Sequence, residues 1–225
     1  LNLEIIQLIT STKYKLMKIE ILDNFLQENH LASLNSLKLD KIKANQIKVY
    51  HNQIKDEKVY KKTCIKEELL KEINKSYHPK AVDILKKLNP EKLKLYDYSE
   101  FHIIETGANF VFPIHDDTPN KLLSGVVYLK PKNNSGTIFY ENKNDTSKKE
   151  MVDWKINRAV FFSRTERSTW HSYQGDGISN RIVLVYNLMT YRIKDVFKIE
   201  KKNYFFGNLR YKLNPILQKF LKITI

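Results

Sequence analysis

Apolar positions along this chain change their period once, near residue 95. Before that point they recur at helical spacing. Ile19 to Leu22 is apolar, Asp23-Asn24 offers a cap, and Phe25, Leu26, Leu31 and Leu34 predict a short helix. Ile65, Leu69, Leu70 and Ile73 fall on one face of a stronger helix from about Ile65 to Ser76. Pro79 suits the first turn of a further helix, whose apolar face is Val82, Leu85 and Leu88 and which Asn89-Pro90 closes. After residue 95 the apolar runs shorten and become rich in β-branched and aromatic residues. They predict strands at Phe101 to Glu105, Phe110 to Ile114, Gly125 to Lys130, Gly136 to Tyr140, Ala159 to Ser163, Thr169 to Tyr173 and Arg181 to Met189. Asn142 to Glu150 reads as a polar loop, and Gly175-Asp-Gly177 as a tight connection. Leu213, Ile216, Leu217 and Phe220 return to helical spacing and predict a closing core helix. The expected fold is mainly β with N-terminal helices (α+β): a jelly roll or barrel with helices over one sheet. One domain is expected in three parts. Residues 1–95 form a helical support, 96–192 the β core, and 193–225 a closing segment.

Composition narrows this picture only slightly. A chain of 225 residues can bury a sizeable core without staples. With one cysteine, Cys64, no disulfide can form within the chain, which fits a reducing, cytoplasmic setting. Cys64 is read as a packing residue rather than a reactive thiol. No apolar stretch is long enough for a transmembrane helix. The net charge of +14 raises an acidic partner such as nucleic acid. Because the lysines are scattered rather than gathered into one stripe, a solvated surface is the favoured reading. The chain begins with Leu rather than Met, which leaves open a larger parent protein.

Chemistry gathers at His115, Asp117 and His171, with Arg181 ten residues beyond the second His. Residues two apart on a strand face one way, so His115 and Asp117 share a side while Asp116 points elsewhere. Two imidazoles and one carboxylate on one face of a metal leave the opposite positions open, the arrangement of non-haem Fe(II) oxygenase sites. On the last strand Arg181, Val183, Val185 and Asn187 share one face, and Ile182, Leu184 and Tyr186 the other. An inward Arg is costly unless an anion meets it, and a dicarboxylate held bidentately would do so. Tyr173 shares the face of His171 and is placed to touch either cosubstrate or substrate. Trp170 faces oppositely and reads as core. Asn109 and Phe110 read as mouth or strand edge, and Lys130 and Arg192 as solvated. His30, His51, His78 and His102 lack ligand spacing to one another and read as surface or packing residues.

From about Tyr96 to Arg192 the chain resembles the 2-oxoglutarate- and Fe(II)-dependent oxygenases, in particular the prolyl-4-hydroxylase-like branch. The resemblance rests on Phe112-Pro-Ile-His115-Asp-Asp117, Ser124-Gly-Val-Val-Tyr128-Leu, Ser135-Gly136, Arg158-Ala-Val-Phe-Phe-Ser163, Trp170-His171 and Asn180-Arg181-Ile-Val-Leu-Val-Tyr186. It implies a double-stranded β-helix core. It implies Fe(II) on His115, Asp117 and His171, and 2-oxoglutarate held by Arg181 and Tyr128, with Tyr173 and Val183 alongside. O2 is the oxidant and ascorbate a supporting reductant. The implied reaction hydroxylates a peptidyl side chain or a small metabolite while 2-oxoglutarate becomes succinate and CO2. Two positions depart from the branch: Phe112 stands where a Tyr is frequent, and Asn187 where a Trp is common. A nucleic-acid dealkylase of the same superfamily is the first rival, but its second Arg is replaced by Asn187. A non-catalytic jelly-roll binding module is the second.

Overall fold

The computed structural model describes residues 18–219. Its elements run β1 (Ile19–Leu22), α1 (Glu28–Asn35), β2 (Ile47–Lys55), β3 (Lys58–Lys61), α2 (Glu67–Leu88), α3 (Pro90–Leu93), β4 (Tyr98–Thr106), β5 (Val111–His115), β6 (Lys121–Lys130), β7 (Thr137–Tyr140), β8 (Lys149–Val152), β9 (Ala159–Phe162), β10 (Trp170–Gln174), β11 (Arg181–Met189), α4 (Ile193–Ile199) and α5 (Tyr204–Lys219). The strands form two antiparallel sheets. The larger has the order β1-β9-β6-β11-β4-β2-β3 and the smaller β5-β10-β7-β8.

The alternation along β11 explains the layers. Ile182, Leu184, Tyr186 and Leu188 join one core with Leu70, Ile73, Ala81 and Leu85 of α2. Val183 and Val185 join a second core with Tyr128, Phe139, Val160 and Phe162, between the two sheets. With helices on one face and the small sheet on the other, every residue of β11 is buried. A cavity lined by His115, Asp117, His171 and Arg181 lies in the second layer.

Each strand expected after residue 95 is present, with ends moved by up to four residues. The region before residue 95 is not wholly helical. It contributes β1, β2 and β3 to the large sheet, where β2 pairs with β4 and β1 with β9. The β2–β3 hairpin turns on Asp56 and Glu57, both at positive φ. Such a turn favours Gly or Asn, so Asp-Glu gave no hairpin signal. The edge strand β3 is mostly exposed and lysine-rich, which hides it from a hydrophobic pattern. β8 is also an edge strand, and it takes up the end of the segment expected to be a polar loop.

Two helical expectations are corrected. Pro79 opens no new helix; it lies inside α2, which runs unbroken through it. Residues on both sides of Pro79, from Leu70 to Leu85, bury one common face against the sheet. That packing outweighs the lost backbone hydrogen bond and the ring clash. Pro79→Ala is therefore expected to stabilise the protein by about 2 kcal/mol, read as a raised urea midpoint; an unchanged midpoint would mean that the helix is already relaxed around the ring. The expected closing core helix forms as α5, but Phe205, Phe206, Leu209 and Leu213 are exposed, so its described part is not a core helix. Ile216, Leu217 and Phe220 lie outside the residues whose side chains are described. Gly207 lets α5 approach α4, since a Cβ there would lie 2.2 Å from the Phe197 ring. Among the described residues no helix is long and apolar enough to cross a membrane.

Candidate metal and cosubstrate site

His115 ends β5 and His171 lies on β10, and the two are direct partners in the antiparallel ladder. Their ring centroids are 4.2 Å apart. Asp117 lies two residues past the end of β5, so the ladder does not hold it, contrary to the simple strand argument. The local turn nevertheless brings it to the same place: ligand atoms of His115, Asp117 and His171 all lie within 4.8 Å of one another. This is the one such cluster among the described residues.

Neighbouring groups orient each ligand. The Nδ1 of His115 lies 2.8 Å from the Pro113 carbonyl, and that of His171 lies 2.9 Å from the Thr169 carbonyl. A carbonyl only accepts, so each Nδ1 carries the proton and each Nε2 keeps its lone pair free for a metal. Lys121 Nζ donates to Asp117 Oδ1 at 2.6 Å, and Ser124 Oγ donates to Oδ2 at 2.5 Å. Burial pushes the Asp117 carboxyl up, but Lys121 and the two imidazoles outweigh it and hold it well below the usual carboxylate range. Burial and the charge of His171 pull His115 down to about 3, and burial lowers His171 as well. Two neutral imidazoles and an ionised carboxylate are the protonation states a divalent metal needs.

These imidazoles are expected to make metal-free protein acid-labile. His51, packed on His102, is also pulled down to about 4, first by burial and then by the charge of His102. In each case the unfolded chain takes up protons before the folded one. Stability is full above the unfolded value of about 6.5 and falls as pH drops towards 4. At the fully buried His115 this is a slope of about 1.4 kcal/mol per pH unit in that window. The urea midpoint of metal-free protein is expected to fall accordingly; a flat midpoint would mean that these rings are protonated in the fold.

Arg181 begins β11 and is 5% exposed. Its guanidinium lies 3.9 Å from the Tyr173 ring centroid, 5.4 Å from that of Tyr128 and 5.5 Å from that of Trp154. Burial pulls its pKa down, against the favourable influence of the two tyrosines. Its Nε has no hydrogen-bond partner. A buried cation faced by rings, with a vacant donor, suits an incoming carboxylate. Arg181 and the three ligands line one cavity of about 150 Å³, together with Tyr173 and Val183. Tyr128 is differently placed. It is fully buried against Trp154, and its hydroxyl donates to Thr137 Oγ1 and accepts from Thr137 N–H, both at 3.0 Å.

The cavity also holds residues that sequence reasoning passed over. His102, read as surface or packing, lines it and lies 3.1 Å from Glu100. Phe112, Lys121, Ser124 and Phe162 line it too. The signal for His102 was available in parity, since it shares a strand face with Ile104 and Thr106, which also line the cavity. The other histidines pack: His30 bonds the Tyr77 hydroxyl at 2.7 Å, and His78 lies against Tyr96. Lys130, read as solvated, instead donates to the Asn35 carbonyl at 2.7 Å. Asn187 is fully buried, and neither of its amide atoms has a hydrogen-bond partner. Trp170 is buried, flanked by Lys143 and Arg210. Cys64 is a free thiol, pushed up by burial, in keeping with a packing role.

No protein-family model matches the chain, and no curated protein matches its sequence. Solved structures do match its fold. An oxidoreductase of the 2OG-Fe(II) oxygenase family from Burkholderia pseudomallei is 12% identical with a TM-score of 0.54, over 76% of this chain and 84% of that one. A prolyl-4-hydroxylase from Pseudomonas putida is 12% identical with a TM-score of 0.50, over 76% of this chain and 92% of that one. HygX from Streptomyces hygroscopicus, solved with nickel, 2-oxoglutarate and hygromycin B, is 7% identical with a TM-score of 0.53, over 85% of this chain and 88% of that one. The two antiparallel sheets with helices on the larger are thus the jelly-roll fold of the 2OG-Fe(II) oxygenase structures.

Proposed function

We propose that this protein is a 2-oxoglutarate- and Fe(II)-dependent dioxygenase that hydroxylates a peptidyl side chain or a small metabolite. The observation that carries the reading is the joint placement of two groups in one cavity. His115, Asp117 and His171 converge within 4.8 Å, and the buried cation of Arg181, with its unpartnered Nε, lines the same space. A metal cluster alone would fit many roles. An added buried cation with no carboxylate partner among the described residues asks for an anionic cosubstrate.

The residues divide the work. When bound, Fe(II) and 2-oxoglutarate supply the oxidative chemistry, with succinate and CO2 as the coproducts. His115, Asp117 and His171 supply one face of ligands and leave the other face for cosubstrate and oxygen. The Pro113 and Thr169 carbonyls keep both imidazoles in the tautomer that ligates. Ser124 and Lys121 hold the carboxylate of Asp117 ionised and oriented. Arg181 holds the far carboxylate, with the ring of Tyr173 against its guanidinium and Val183 beside it. Tyr128 supports that guanidinium through its ring. Phe112 and Phe162, 4.4 Å from His115 and 4.8 Å from His171, keep water from the ligands.

Anaerobic titration of Fe(II)-loaded protein with 2-oxoglutarate tests the reading. A weak visible charge-transfer band is expected, and its shift with added candidates then screens for the substrate. Well-folded protein that binds iron and 2-oxoglutarate without a band would instead support a jelly-roll binding module.

A further inference from the structure

Resting on the metal-site reading above, we infer that Arg210 of the C-terminal helix α5 is a positioning residue of the metal centre, holding the Asp117 ligand in place through Asp116.

The two histidine ligands are fixed by the β5–β10 ladder, where they are direct partners. Asp117 has no such support, because regular structure ends at His115 and resumes at Lys121. An ion pair at the neighbouring Asp116 and a hydrogen bond to its own carbonyl hold it instead. On one side, Arg210 donates from Nη2 to Asp116 Oδ1 at 2.5 Å, and the Arg167 N–H donates to Asp116 Oδ2 at 2.9 Å. On the other, Arg164 Nε donates to the Asp117 carbonyl at 3.1 Å. The two arginines are joined by Glu166, which accepts from Arg210 Nη1 at 2.8 Å and from Arg164 Nη2.

Arg210 closes this clamp from the surface, with its side chain 33% exposed, and the rest of the set lies in the interior. Arg164 and Glu200 are each 1% exposed at their side chains, and Lys92 is 0% exposed. Glu200 binds Arg164 Nη1 and Lys92 Nζ, both at 2.6 Å, and accepts from the Glu166 N–H at 2.9 Å. Lys92 also donates to the Arg164 carbonyl. Every charge in the set has an opposite partner, the condition under which buried ions hold geometry rather than disrupt it. Among the described residues, Arg210 is the one member from α5. The exposed aromatic residues of that helix make it a poor core element, and this contact is what its sequence supplies to the site. Losing Arg210 would leave Asp116 buried and half-satisfied, and free the loop that carries the one carboxylate ligand.

The test is Co(II) binding by metal-free protein, followed through the ligand-field bands, with the urea midpoint measured alongside. Arg210→Ala is expected to raise the Co(II) Kd about 10- to 100-fold, the range for groups that orient metal ligands. Arg210→Lys should recover part of the loss, since an ammonium can pair with Asp116 but cannot fork between Asp116 and Glu166. Asp116→Asn keeps the shape of the carboxylate without its charge and should also raise Kd, which gives a second test if Arg210→Ala folds poorly. A lowered urea midpoint with an unchanged Co(II) Kd overturns the inference, because Arg210 would then serve the fold alone. Failure of the unaltered protein to bind Co(II), or unchanged binding in Asp117→Ala, overturns the metal-site reading and this inference with it.

Discussion

Asp117→Ala is expected to abolish 2-oxoglutarate turnover and to weaken metal binding by more than the roughly hundredfold that loss of an orienting group costs. Asp117 is the only carboxylate of the cluster and so its only anionic ligand. The substitution also leaves the Lys121 ammonium, which donates to Asp117 at 2.6 Å, beside a site meant for a cation. Ligand loss and charge repulsion then act in the same direction. Succinate formation and Ni(II) affinity, measured together, check the prediction. Normal turnover in the variant would remove Asp117 from the ligand set. Asp116 provides the internal control, because it has the same chemistry one residue away. Its carboxylate is taken by Arg210 and the Arg167 N–H, so Asp116→Asn should weaken metal binding without abolishing it.

How far the sequence carried this site depends on whether the evidence was local. The alternation of β11 was legible for most of the strand: Arg181, Val183 and Val185 line the cavity, Ile182, Leu184 and Tyr186 pack under the helices, and Asn187, expected on the cavity face, is buried outside the cavity lining. His115 and His171 were legible from spacing and strand composition. Asp117 was found by an argument that is only half right, since it faces its partners from a turn rather than a strand. What failed was non-local. The β2–β3 hairpin is polar and lysine-rich, and it becomes sheet because β4 offers it an edge. Pro79 looked like a boundary because its local cost is certain and the packing that outweighs it is not visible in sequence. The hydroxyl of Tyr128 was expected at the cosubstrate, yet Thr137 on a neighbouring segment takes both of its hydrogen bonds. The Arg164–Glu166–Glu200–Arg210 set draws on three separate parts of the chain, and as sequence it is four ordinary surface-type charges.

Arg181→Ala is expected to raise the 2-oxoglutarate requirement by about two to three and a half orders of magnitude while changing the metal requirement little. Removing one partner of a buried, hydrogen-bonded charge pair costs about 3–5 kcal/mol, which corresponds to that factor. Arg181→Lys should fall between, because it keeps the charge and loses the fork that matches a carboxylate. Assays of half-saturating 2-oxoglutarate and metal in the same variants separate the two requirements, and equal effects on both would make Arg181 structural. Stability supplies an independent sign. In the unliganded fold the guanidinium is buried among rings with its Nε unpaired, a cost that the tyrosines offset only in part and a ligand repays. Arg181→Met, which keeps much of the volume and removes the charge, should therefore leave unliganded protein at least as stable in urea. It should also remove the stabilisation that 2-oxoglutarate gives the unaltered protein. A residue that weakens the empty fold and strengthens the filled one is placed for its ligand. A structural arginine would show the reverse, with Arg181→Met less stable in both conditions.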